Sequence, residues 1–184
     1  MDECRLPVLR GIVHKHPLPA TETKNVHLLV VQHLLEDTAY FLECVNEAPF
    51  ASISVVGIEY SSVPSVSDSI RQRTASEVVV PPYRLLPETL RSLAVRLLER
   101  CRSRGDRLLL HEIGGVCGPI LVGKLSLNQR YCLGVVEDTT AGLRVYRGLE
   151  ERLQFPVYHV ASSDLKRLEA IYVGEAVATE LQSA

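Results

Sequence analysis

Apolar residues in this chain fall into short, nearly unbroken runs, separated by stretches in which they recur every three or four positions. Val26–Val31, Ala51–Ile58, Val78–Val80, Arg107–Leu110, Cys132–Val136 and Pro156–Val160 read as six strands. Between them the helical period covers Leu34–Val45, a weak stretch near 67–75, Pro87-Glu88 to about Arg102, Thr139–Leu153, and Ser163-Asp164 to about Leu181. The longest of these has Leu90, Leu93, Ala94, Leu97 and Leu98 on one face and Arg91, Arg96 and Glu99 on the other. Residues 116–130 fit neither period, because Gly118-Pro119 and Gly123 interrupt them. Residues 1–24, with Pro7, Pro17 and Pro19, read as an irregular arm crossing the surface of a domain over 25–184. Strands alternating with helices predict one doubly wound α/β domain, flavodoxin- or Rossmann-like: a mostly parallel sheet of about six strands with helices on both faces.

Composition narrows the class. At 184 residues the chain suits one well-buried domain, and with no Trp and only three Phe its core must be Leu, Val and Ile. A net charge of −2 without a basic block removes the footprint of sequence-independent nucleic-acid binding. Cys4, Cys44, Cys101, Cys117 and Cys132 are odd in number and lack Cys-x-x-Cys spacing, which predicts reduced thiols in a cytoplasmic protein and no zinc site. The start, Met-Asp-Glu-Cys-Arg, lacks a signal-peptide pattern, and no apolar run approaches membrane-spanning length.

In a parallel sheet every strand ends on the same edge, so the residues after each strand share a rim. They are Gln32, His33, Glu36 and Asp37; Glu59, Tyr60, Ser61 and Ser62; Tyr83 and Arg84; His111, Glu112, Gly114 and Gly115; Glu137, Asp138, Thr139 and Thr140; and Ser162, Ser163, Asp164 and Lys166. Titratable groups beside Gly114-Gly115, where a backbone can approach a ligand, mark this rim as the candidate site. Each feature also has a plainer role: His33 as a packing residue, Glu36 and Asp37 as partners of a helix dipole, and Thr139-Thr140 as a cap. Lys166, early in the last helix, is unfavourably placed for that dipole. His14-Lys15-His16 lacks a carboxylate or Cys at ligand spacing and reads as exposed arm. Gly-x-Gly-x-x-Gly, Walker, Gly-x-Ser-x-Gly and zinc-protease motifs are absent.

Three blocks resemble the substrate-binding domain of the S-adenosylhomocysteine hydrolase (adenosylhomocysteinase) family, over roughly residues 26–175. His33-Leu-Leu-Glu-Asp-Thr-Ala-Tyr-Phe-Leu-Glu43 is similar to the family's His-Met-Thr-x-Glu-Thr-Ala-x-x-x-Glu. Gly114-Gly115 is similar to its Asp-Asp-Gly-Gly-Asp. Val136-Glu-Asp-Thr-Thr-Ala-Gly142, followed by Phe155-Pro-Val and Lys166, is similar to Glu-Glu-Thr-Thr-Thr-Gly, Val-Pro-Ala and the catalytic Lys. The resemblance implies a catalytic group of Lys166, Asp138 and His33. Lys166 would be the base at the 3′-hydroxyl, Asp138 the ribose acid, and His33 would lie near the sulfur-bearing end. It further implies Asp37 at the adenine edge, with Glu112 and Glu137 also on the substrate, and Thr139 and Thr140 beside a nicotinamide cofactor.

The chain departs from the family where chemistry is most exacting. Leu35 replaces a ligand-binding Thr, Ile113 a catalytic Asp, Ala141 the signature's third Thr, Ala161 an Asn and Ala170 an Asp. The family's oxidation with tightly bound NAD also needs a dinucleotide-binding domain, whose fingerprint is missing here, so NAD is expected only with a second domain or subunit. The expectation is a nucleoside-binding domain that does not hydrolyse S-adenosylhomocysteine alone. The alternative is a stand-alone degenerate domain acting as a partner, a sensor or an enzyme of altered chemistry. An open half-cleft leaves apolar surface, so a homo-oligomer is expected in either case.

Overall fold

A computed structural model describes residues 6–74, 76–123 and 125–183. Its six strands form one all-parallel sheet: β1 (Val26–Gln32), β2 (Ser52–Gly57), β3 (Glu77–Val79), β4 (Arg107–Glu112), β5 (Cys132–Glu137) and β6 (Val157–His159). They lie in the order β3-β2-β1-β4-β5-β6, so the chain reverses direction across the sheet between β1 and β4. This is the doubly wound α/β fold that the alternation of apolar runs predicts.

β1 is central and buried on both faces, which is why its sequence is a continuous apolar run. Its one ring-bearing polar residue, His27, is enclosed and satisfied: Nδ1 meets Ser52 Oγ at 2.7 Å and Nε2 meets Asp106 at 3.1 Å. Side chains alternate between two cores. Leu28, Val30, Ile53, Val55 and Val78 pack under α3 (Glu36–Asn46) and α4 (Pro64–Thr74). Leu29, Val31, Leu108, Leu110 and Val135 pack under α5 (Leu86–Arg104), α6 (Cys117–Val122) and α7 (Thr140–Arg147). Each enclosed Leu contributes about 1.5–3 kcal/mol of transfer free energy. Cys44, Cys101, Cys117 and Cys132 are free and buried, whereas Cys4 lies outside the described residues.

Several elements differ from the sequence reading. The described part of the amino-terminal arm is helical rather than irregular: α1 spans Pro7–Lys15 and α2 spans Ala20–Thr23. Pro7 opens α1, where its missing N–H costs nothing, and Pro17 and Pro19 separate the two helices. No residue of α1 is buried; Arg10 and His14 reach Glu47 of the segment after α3 at 3.6 and 4.0 Å. Residues 116–130 resolve into α6 and a 3-10 turn over Ser126–Tyr131. The helix expected to reach Leu153 stops at Arg147 with Gly148 as its cap, and a separate 3-10 turn covers Glu150–Arg152. β6 leads into α8 (Asp164–Ser183). Among the described residues no helix is long and apolar enough to cross a membrane.

Candidate functional site

The reversal of strand order opens a crevice between the carboxyl ends of β1 and β4, the usual ligand position in an open α/β sheet. Three side chains meet there. Gln32, the last residue of β1, donates from Nε2 to Asp138 Oδ2 at 2.6 Å. His111, next to last in β4, places Nε2 3.1 Å from Oδ2 and 3.3 Å from Oδ1 of the same carboxylate. Asp138 follows β5, and its side chain keeps 22% of its surface open, so it is held in place without being sealed. With Nε2–H donating to Asp138, Nδ1 of His111 is a bare acceptor, and it is buried without a partner among the described residues. The His111 ring rests on Phe41, with centroids 5.0 Å apart.

A second group lies at the ends of β1, β2 and β3. His33 Nδ1 makes a short hydrogen bond with Ser61 Oγ, and its carbonyl accepts the Thr38 hydroxyl at 2.6 Å. The ring of His33 stands 6.1 Å from that of Tyr60, which meets Tyr83 edge-on at 5.4 Å. The Glu59 carboxylate accepts the Tyr83 N–H at 2.7 Å and ties the two loops together. Both tyrosines are exposed, so the rim carries an aromatic ledge beside His33. Large exposed rings fixed by backbone bonds are suited to stacking a flat ligand.

Two carboxylates expected on the substrate have another place. Glu112 and Glu137 are both 0% exposed, on the face of the sheet that α7 covers. Glu137 accepts from Gly114 N (3.1 Å), Gly115 N (2.9 Å), Thr139 N (2.7 Å) and Thr139 Oγ1 (2.6 Å). Glu112 accepts from Cys117 N at 3.0 Å and from the Tyr146 hydroxyl. Burial pushes the Glu112 carboxyl up to about 7, against the opposing pull of those two donors. Burial and the neighbouring Glu112 raise Tyr146 in turn. Both carboxylates are therefore bonded within the interior and do not present themselves at the rim.

Thr139 is likewise engaged in structure. Its Oγ1 accepts from Gly142 N and Gly114 N, both at 3.0 Å, and so caps α7 and anchors the Gly114 loop. This packing explains Gly142: a Cβ there would fall on the Glu137 carboxylate. Gly115, at φ 66°, would bring its Cβ within 2.8 Å of Val145 Cβ. The N–H groups of Gly114, Gly115 and Thr139 are all engaged by Glu137. Thr140 is the exposed first residue of α7, and Asp37 is exposed in the first turn of α3. Lys166 lies on the same edge by topology, but its ammonium pairs with Glu169 of its own helix at 2.6 Å.

Of the residues proposed from sequence, Asp138 and His33 thus belong to the rim, Glu112, Glu137 and Thr139 support it from beneath, and Lys166 pairs with Glu169 on α8. The residues that organise it, Gln32, His111, Tyr60 and Tyr83, were legible as rim positions only. What brings Gln32 and His111 together is the β1–β4 register, Val30 opposite His111, which no local pattern encodes. A separate apolar cavity of ≈ 410 Å³ lies between α1, α3 and the sheet, with Leu28, Leu109 and Val136 in its lining and His111 at its boundary with the rim. No protein-family model matches the chain, and no curated protein matches it.

Proposed function

We propose that this domain binds a nucleoside-like small molecule across the carboxyl rim of the sheet and does not by itself hydrolyse S-adenosylhomocysteine. The observation that carries this reading is the Asp138 carboxylate, fixed by Gln32 and His111 at the strand-order reversal while part of its surface stays open. A pre-oriented carboxylate is a strong acceptor for a vicinal diol, and the His33–Tyr60–Tyr83 ledge offers stacking surface for a planar base. The similarity of His33–Glu43 and of Val136–Gly142 to the adenosylhomocysteinase blocks supports the same ligand class. Against turnover stand Ile113 and Leu35 in place of polar family residues, and a Lys166 engaged with Glu169.

Calorimetry with adenosine, S-adenosylhomocysteine and NAD separately tests the proposal. Binding of either nucleoside is expected, with Asp138→Ala weakening it by at least about tenfold, the loss of one charge-assisted hydrogen-bonding acceptor. Near-UV circular dichroism of the variant checks that the fold survives. Silence toward both nucleosides, or affinity indifferent to Asp138→Ala, would refute it, and turnover of S-adenosylhomocysteine by the chain with NAD would refute the second half.

A further inference from the structure

The carboxyl-terminal helix is the least expected surface of the molecule. α8 is exposed at nearly every described position, including Leu165, Leu168, Ile171, Tyr172 (70%), Val173, Val177 (54%) and Leu181. A helix apolar on several sides is an interior helix, and one of this length is marginal when isolated in water. At 3.6 residues per turn all of these apolar positions except Ile171 fall into two stripes, roughly 150° apart around the axis. Leu165, Leu168 and Tyr172 make one in the amino-terminal half; Val173, Val177 and Leu181 make the other in the carboxyl-terminal half.

The same chain leaves a second apolar surface uncovered. α3 and α4 pack on one face of the sheet over β1–β3, and on the same face Tyr158 of β6 and Val160 beyond it are exposed. Val136 lies on that face too, and its register partner Tyr158 is 64% exposed. Val136 also lines the ≈ 410 Å³ cavity, so the open strip and the cavity are continuous. Two unpartnered apolar surfaces on one chain are the condition for an isologous contact, in which a single two-fold operation covers both on both copies. The area suffices: the six exposed side chains of the two stripes present on the order of 700 Å², close to what each partner of a standard interface buries.

We propose that two copies associate about a two-fold axis through α8. The Val173–Val177–Leu181 stripe of each helix seats on the Val136–Tyr158–Val160 face of the other copy, and the Leu165–Leu168–Tyr172 stripes meet across the axis. Both stripes are then buried, although they point in different directions. The contact uses none of Gln32, His33, Tyr60, Tyr83, His111 and Asp138, so this inference and the nucleoside reading stand or fall separately.

Sedimentation velocity over about a hundredfold range of concentration tests it. A dimer is expected for the unaltered chain, with V173E/V177E and, separately, Tyr158→Glu each raising its dissociation constant at least about tenfold. Far- and near-UV circular dichroism should show the sheet domain intact in both, since all three positions are exposed. Mixing Val177→Cys and Tyr158→Cys chains with a short bis-maleimide should link one chain of each kind, identified by peptide mass spectrometry. A monomer at every concentration overturns the proposal, as does a dimer indifferent to both variants. So does linkage found only within a single V177C/Y158C chain, the sign of a helix folded back on its own sheet, or capture of α8 by a different protein while copies stay apart.

Discussion

Three acids at the ends of two adjacent strands have opposite fates because a strand alternates its side chains and then ends. Glu112 and its register partner Glu137 point into the α7 core, and Asp138, one step past β5, turns to the rim. That difference produces a pH signature. The Glu112 carboxyl stays protonated to about pH 7 in the folded chain against an ordinary 4.5, so the native state holds this proton more tightly than the unfolded chain does. The stabilisation is complete below the unfolded value and is lost as pH rises through the folded one. Urea melts at about pH 4.5 and about pH 8 should show a decline on the order of 3 kcal/mol from this group, flattened in Glu112→Gln. An equal decline in both proteins would assign the pH dependence elsewhere. The sequence shows that acids gather after β4 and β5; it does not show which face each takes, because a one-residue change in where a strand ends sends the side chain to the other side.

Elements with a strong internal pattern were legible, and those shaped by close contact were not. α5 follows from its leucine stripe and its opening Pro87, and the six apolar runs all became strands. α7 is shorter than its apolar period because it ends at Gly148, whose N–H closes on the Arg144 carbonyl before Leu149. α1 and α2 were missed because three prolines resemble a loop, although Pro7 occupies the one helical position that accepts it. Gly142→Ala should cost at least about 2 kcal/mol, since the added carbon displaces the Glu137 carboxylate from Gly114, Gly115 and Thr139. Gly11→Ala, whose added carbon meets nothing within 4 Å, is the control. Matching urea midpoints for the two variants would mean that the α7 junction yields easily.

For the whole molecule, fold class was readable from alternation, whereas the strand order that creates the crevice was not, since β3 must pass back over β1 and β2 to deliver β4 beside β1. Exposure of α8 is likewise a property of the assembled chain. If copies pair through it, the melting temperature should climb with protein concentration in scanning calorimetry, and in V173E/V177E it should not. A concentration-independent midpoint in the unaltered chain would speak against pairing. The bond from Gln32 to Asp138 joins positions 106 residues apart. The Gln32–His111–Asp138 group is therefore complete only when segments distant in sequence have come together, a non-local event. If the rim takes a nucleoside as proposed, that ligand should slow amide exchange throughout the central strands, not merely at the loops it touches, because partly unfolded forms lacking either half would have nothing to offer it.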